Sequence, residues 1–397
     1  MKTYDWIVIG GGITGAALSY ELVKQGFAVL LLEKEATPHN ATYYSYGGLA
    51  YWSGTTDLTK QLCEEGITRH RLLSQELNAD TEFRELDLLL TINRDDNPET
   101  VSASYAQFAI PPRLLSVDEA CELEPLLNKD AIAGALSVKH GHIHAEKLAE
   151  AYIQAFLRAG GTMYVAQVWE LLREGQRIIG VKTKTNTYHA ANTVVCAGGF
   201  SRALLKSAGI SVRVYFTHAE IIATPPVDVE LRTLVMPAVL KRFQLEAEST
   251  KDDSLWNSGN ETLPPILDPG AVQFCDRRLY LGQMSRVVTE PFAPIDAVSS
   301  ETSLRNSVGM ILPKLKNLPG TWHHCLVAFS RDRLPLIGAI PNFEGIHIFS
   351  GFSNPLVIIP PLAQRFAHLV TGQPDDIIPQ LTPARIHRNF QLHEDEK

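Results

Sequence analysis

The run Gly10-Gly11-Gly12-Ile13-Thr14-Gly15 is followed, eighteen positions later, by the carboxylate Glu33. Residues of these types at this spacing can hold a dinucleotide. Gly10 permits a tight turn, Gly12 lets backbone approach a pyrophosphate, and Gly15 lets a helix pack close to the preceding strand. The amides that open the helix carry the partial positive charge a phosphate needs. Glu33 would accept hydrogen bonds from an adenosine ribose, and its charge disfavours the 2′-phosphate of NADP. Gly11, Ile13, Thr14 and Lys34 complete the candidate contacts. The motif alone does not separate NAD from FAD.

The flanking residues supply the elements the motif requires. Trp6 to Ile9 is a continuous apolar run, as expected of a strand covered on both faces. Thr14 to Gln25 reads as a helix burying Ala16, Ala17, Leu18, Leu22 and Val23, and Gly26 suits its C-terminal cap. Ala28 to Leu32 is a second apolar strand ending at Glu33. Further along, helices are expected over 57–77 and 145–159, and short strands over 163–168, 177–184 and 192–196. From Val212 to about Leu326 the chain is strand-rich. The polar, turn-forming stretch Glu248 to Pro265 interrupts it and reads as an exposed loop or lid.

Composition narrows the class. A chain of 397 residues has room for two domains, and its net charge of −8 argues against nucleic acid or an anionic membrane surface. Cys63, Cys121, Cys196, Cys275 and Cys325 are scattered without a C-x-x-C pair, which fits reduced thiols better than disulfides or zinc. No uncharged apolar run reaches the ~18 residues of a membrane helix. Asp5 before the glycine run, with Glu21 and Lys24 after it, argues against an export signal. The expectation is a soluble cytoplasmic enzyme.

Taken together, "VIGGGITGAALSYELVKQGFAVLLLEK", "ATYYSYGGL", "NTVVCAGGFSRALLKSAGI" and "RDRLPLIGAIPNFEGIHIFSGFSNPL" occur in the order found in the D-amino-acid oxidase superfamily of flavoproteins. The chain most resembles its glycine oxidase and sarcosine oxidase branch. The resemblance implies FAD and an α/β plus α+β fold: a Rossmann-like FAD domain of glutathione-reductase type with a discontinuous antiparallel-sheet substrate domain. It implies residues 1–82, 140–211 and 325–397 for the first and 83–139 and 212–324 for the second, with 248–265 inserted. By the same resemblance Thr42, Tyr43, Gly47, Gly48 and Leu49 meet pyrophosphate and flavin, and Val168 holds the adenine. Ala197, Gly198 and Gly338 pack on the cofactor. Gly351, Phe352, Ser353, Asn354, Pro355 and Leu356 meet the isoalloxazine ring, and a helix from about Pro360 aims its N-terminus at the flavin.

The implied activity is oxidation of a small amine or amino acid by hydride transfer to flavin N5, with oxygen or a quinone or electron carrier as acceptor. Four departures bear on the substrate, the first being Val272 to Phe274 where the glycine oxidase pattern has a substrate-contacting tyrosine. Val327 stands where the glycine oxidase pattern has an arginine for the substrate carboxylate, and Leu356 where the flavin loop has a glycine. "THAE" (Thr217 to Glu220) replaces arginine-glycine-glutamine. Either Arg242, Arg286 or Arg331 substitutes for the missing arginine, or the substrate is not a simple amino acid. Cys325, seven residues before Asp332, has the spacing of a covalent cysteinyl flavin or is a small buried residue. His140, His142 and His144 alternate along one strand face, but they fall on a family turn and no metal is expected. A hydroxy-acid dehydrogenase, an NAD enzyme and a flavin-bearing binding protein without turnover are the alternatives.

Overall fold

The computed structural model describes residues 3–239, 241–257 and 261–385. Its first sheet centres on the strand Thr3–Ile9, buried from Trp6 onward. Val29–Glu33 and then Thr162–Val165 lie on one side, and Thr187–Val195 and then Ile346–Ser350 on the other, all parallel. Leu336–Ala339 closes one edge antiparallel. The helix Ile13–Lys24 packs on Ala145–Arg158 and Pro355–Leu369, and the last of these packs on Asp57–Glu76. These four helices cover one face. The hairpin Val168–Glu174 with Arg177–Thr183 contributes Leu171, Ile178 and Val181 to the other. Burial on both faces is why the central strands are uninterrupted runs of Ile, Val and Leu.

The second sheet runs Thr321–Ser330, Val214–Ala223, Leu279–Val288, Glu261–Gln273, Leu234–Pro237, Arg84–Asn93, Ile132–His142 and Gly48–Leu49. Its neighbours are antiparallel except Leu234–Pro237 with Arg84–Asn93. Alternation divides the side chains between two faces. Ile222, Leu281 and Met284 meet the helix Ala297–Ile311 through Leu304 and Val308. Ala219, Ile221, Val272, Tyr280 and Cys325 form the inner face, packed with Tyr44 and Trp52 from the segment after the glycine turn.

The structure departs from these expectations in five respects. Boundaries at 139/140 and 324/325 would cut two strands whose ladders run through them: His140 lies opposite Leu86, and Cys325 opposite Ala219. Dividing a ladder would leave buried backbone donors unpaired, so both strands belong whole to the second sheet. Gly48–Leu49 joins that sheet as well, beside His142 and Gly141. Of the stretch 248–265, residues 258–260 lie outside the described residues, and the described remainder is not a free loop. It continues the helix Lys241–Ser249, carries a turn over Asp253–Asn257 and enters the strand Glu261–Gln273. Trp256 anchors it, 4% exposed among Tyr215, Phe216 and Phe329. The strand Val168–Glu174 escaped notice because its exposed residues mask the alternation. Finally, the closing helix begins at Pro355 rather than near Pro360, and Pro360-Pro361 lie inside it.

Candidate functional site

The site is built where the strand Thr3–Ile9 ends. Gly10 takes φ +105°, a conformation that favours glycine, and a Cβ there would lie 2.6 Å from the Cys196 carbonyl oxygen. At Gly15 a Cβ would lie 1.8 Å from the Gly10 oxygen, so the helix packs on its own turn. Gly12 differs: a Cβ there would meet only Thr42 Oγ1 at 3.2 Å and Asn40 Nδ2 at 3.9 Å. Gly12 caps the helix without any side-chain hydrogen bond. Backbone amides and open space are what a pyrophosphate requires. Glu33 is 5% exposed, and its Oε2 accepts from the Gly11 amide at 2.6 Å. Lys34 lies over the Phe200 ring and pairs with Glu35. This cradle fits the dinucleotide it was expected to hold.

Two further segments converge here. Thr42 Oγ1 accepts from the Ile13 amide at 3.0 Å, joining the 42–49 segment to the helix start. Asn40, absent from the sequence reading, accepts from the amides of Thr42 and Tyr43 through Oδ1. An Asn two residues before a turn is a readable signal for this role. Tyr280 reaches across from the second sheet and donates to the Tyr43 carbonyl at 3.2 Å. Gly47 has φ +72° and its carbonyl accepts from the Ile143 amide; Leu49 is fully buried. From the far end of the chain, Asn354 donates Nδ2 to the Ala50 carbonyl at 3.2 Å. Phe352 and Leu356 are buried, and Ser353 Oγ is buried without a protein partner. Ala197 and Gly198 follow the strand Thr187–Val195, where Thr14 Oγ1 donates to the Cys196 carbonyl. Val168 opens the hairpin, just after Ala166 donates to the Glu33 carbonyl. Gly338 stands apart: it lies in the edge strand Leu336–Ala339, near Thr382.

The inner face supplies the opposite wall. Val327 lies opposite Thr217 and Cys325 opposite Ala219. His323, one register step further, stacks on Tyr44 at 4.5 Å, and Tyr44 shares a 2.8 Å hydrogen bond with His39. His324 points to the other face and stacks on Trp322 and His218. Burial pushes the Cys325 thiol up to about 12. Burial likewise pushes His140 and His142 down to about 3, which keeps them neutral. Among the described residues no group of His, Cys, Asp or Glu could hold a metal.

The three arginines proposed to replace the missing clamp are not equivalent. Arg242 pairs with Glu246 at 3.2 Å. Arg331 lines a cavity of about 270 Å³ with Arg213, Tyr215 and Asp253. Arg286 belongs to the outer face: its Nε donates to Glu220 Oε1 at 2.6 Å, and Glu220 also accepts from Trp322 Nε1. Glu220 is fully buried, which makes Arg286 its counter-ion rather than a substrate clamp. Arg286→Met should therefore cost about 3 kcal/mol of stability in denaturant unfolding, because it leaves a buried carboxylate without its cation. A raised KM with unchanged stability would return Arg286 to the substrate.

Comparison with known proteins agrees with this geometry. The family model described as FAD dependent oxidoreductase (DAO) matches residues 5–369. The chain is 23% identical over 391 residues to the uncharacterized oxidoreductase YurR of Bacillus subtilis, covering 95% of this chain and 97% of that protein. It is 32% identical over 222 residues to monomeric sarcosine oxidase of Streptomyces avermitilis, 52% of this chain and 55% of that one. Glycine oxidase from Geobacillus kaustophilus superposes with a TM-score of 0.78 at 21% identity, over 96% of this chain and 98% of the other. No helix among the described residues is long and apolar enough to cross a membrane. With a glycine cradle, a buried carboxylate held on the Gly11 amide and a family match across nearly its whole length, the chain belongs to the FAD-dependent oxidoreductases of the DAO family.

Proposed function

We propose that this flavoenzyme oxidises a small amine or amino acid at its C–N bond, between the inner face of the second sheet and the 351–356 loop. The observation that carries the reading is convergence. Three segments far apart in sequence, 10–15, 42–50 and 351–356, are tied together through Ile13–Thr42 and Asn354–Ala50, and the inner face closes over them. FAD held by these residues would supply the electron sink for the hydride that leaves the substrate. The protein's part is to hold and to exclude. Gly10, Gly11, Gly12, Ile13, Thr14 and Gly15 would cradle the pyrophosphate, and Glu33 the ribose. The helix Pro355–Leu369 would bring the positive end of its dipole to the reduced ring. Apolar inner-face residues such as Val272 and Val327 would keep water from the reacting carbon.

Oxygen or a quinone or electron carrier would take the electrons onward. We also propose that the flavin is not covalently bound. Cys325 is buried on the inner face opposite Ala219, and burial pushes its thiol up, away from the thiolate a linkage needs. Purified protein should be yellow and release its colour into the supernatant on acid precipitation. Anaerobic addition of glycine, sarcosine, proline, D- or L-amino acids and simple amines should bleach the flavin with at least one of them. A colourless protein that takes up no added FAD would sink the reading. A yellow protein bleached only by hydroxy acids would move the reaction to C–O bonds.

A further inference from the structure

Pro360 and Pro361 sit inside the helix Pro355–Leu369, and neither has an amide hydrogen. The carbonyls four residues earlier, of Leu356 and Val357, therefore lose their intrahelical donors. Both are buried, so each needs a partner or close packing in its place. The neighbouring helix Asp57–Glu76 answers both carbonyls on one face. His70 Nε2 lies 2.6 Å from the Leu356 oxygen and must donate to it. Gly66, one turn earlier, packs directly on the Val357 carbonyl, where a Cβ would approach the oxygen to 2.1 Å.

We propose that His70 is a positioning residue for the flavin: it replaces the donor that Pro360 removes and so fixes the Leu356 peptide at the flavin-facing end of the closing helix. This rests on the placement of the ring against the 351–356 loop. His70 itself is 1% exposed and stacks on Phe83. Its neutrality, with burial the first cause of a value near 4, leaves the proton on Nε2 to serve the carbonyl. The Leu356 carbonyl, once held, orients the peptide group that follows it, at the helix end expected to stabilise negative charge on the reduced ring.

The test is a double-mutant cycle between His70→Leu and Pro360→Ala. Alanine at 360 restores a backbone N–H to the Leu356 carbonyl, so the histidine becomes dispensable. In the apo-protein, H70L should lower the melting temperature by several degrees, and H70L should cost far less in the P360A background. H70Q, which keeps a donor, should recover most of the loss. In the holoprotein, H70L should weaken sulfite addition to the flavin at least tenfold, and H70Q less than threefold. If H70L does not fold, recovery of folded protein in the double variant supports the proposal and failure to recover overturns it. Additive melting losses, or equal sulfite affinity in H70L and H70Q, also overturn it. The apo-protein cycle requires no flavin. A wild type that binds none would defeat the functional reading and leave the hydrogen-bond result standing.

Discussion

Gly12→Ala should fold with the stability of the parent apo-protein yet bind FAD at least tenfold more weakly, whereas Gly15→Ala should lose both stability and affinity. The two glycines share a motif but meet different surroundings. A Cβ at Gly15 would stand 1.8 Å from the Gly10 oxygen and 3.3 Å from Cys196 Cβ, so the helix must back away from the strand. Forcing a group into such a packed contact costs about 1–3 kcal/mol, and the shift also displaces the amides of Ile13 and Thr14. A Cβ at Gly12 faces Thr42 Oγ1 at 3.2 Å and otherwise open space, which the protein accommodates. That open space is where the pyrophosphate would approach the helix end. Filling it should cost at least tenfold in FAD affinity, about 1.4 kcal/mol. Calorimetric melting of the apo-proteins and a fluorescence titration with FAD separate the two effects. Parental FAD affinity in Gly12→Ala would remove the phosphate from that helix end.

Much of this site was legible because local rules and global fold agree there. The glycine run, the helix after it and Glu33 needed only strand, turn and helix patterns, and the structure places all of them within one motif. What escaped the sequence depends on partners far away in the chain. The sequence places the start of the closing helix near Pro360, where the structure starts it at Pro355, because a proline suits the first turn of a helix better than its interior. His70, 286 residues from Leu356, and Gly66 against the Val357 carbonyl accommodate the prolines inside that helix. Trp256 likewise converts a polar stretch into packed structure by one buried ring, which no local pattern reveals. Arg286 and Val327 lie on strands whose facing is set by register, so the sequence could not say that one points outward and the other inward.

The protein should lose stability steeply as pH falls below 6.5, and release its flavin as it does so. His70 and His347 are held down to about 4, and His140 and His142 to about 3, with burial the first cause for each. In the unfolded chain each titrates near 6.5. Between these limits the unfolded state binds the protons, so stability rises with pH through the window and is fully present above about 6.5. Each histidine contributes a slope of about 1.4 kcal/mol per pH unit there. Burial also lowers His144, His218 and His323, which adds to the trend, and raises Glu21, Glu246 and Asp268, which oppose it. The consequence reaches the cofactor through geometry. A Cβ at Gly48 would lie 2.7 Å from His140 Nε2, and one at Gly47 would lie 3.1 Å from His142 Nε2, so both rings abut the 47–49 segment. His140 Nδ1 already accepts from Trp52 Nε1, and protonation would set two donors against each other. Denaturant unfolding at steps from pH 7.5 to 4.5, with FAD fluorescence as the release signal, measures both effects. Replacing His142 with Phe should flatten the slope by about 1.4 kcal/mol per pH unit. A stability that stays level from pH 7 to 5, or a slope unchanged by that substitution, would show that these imidazoles take up protons without opening the fold.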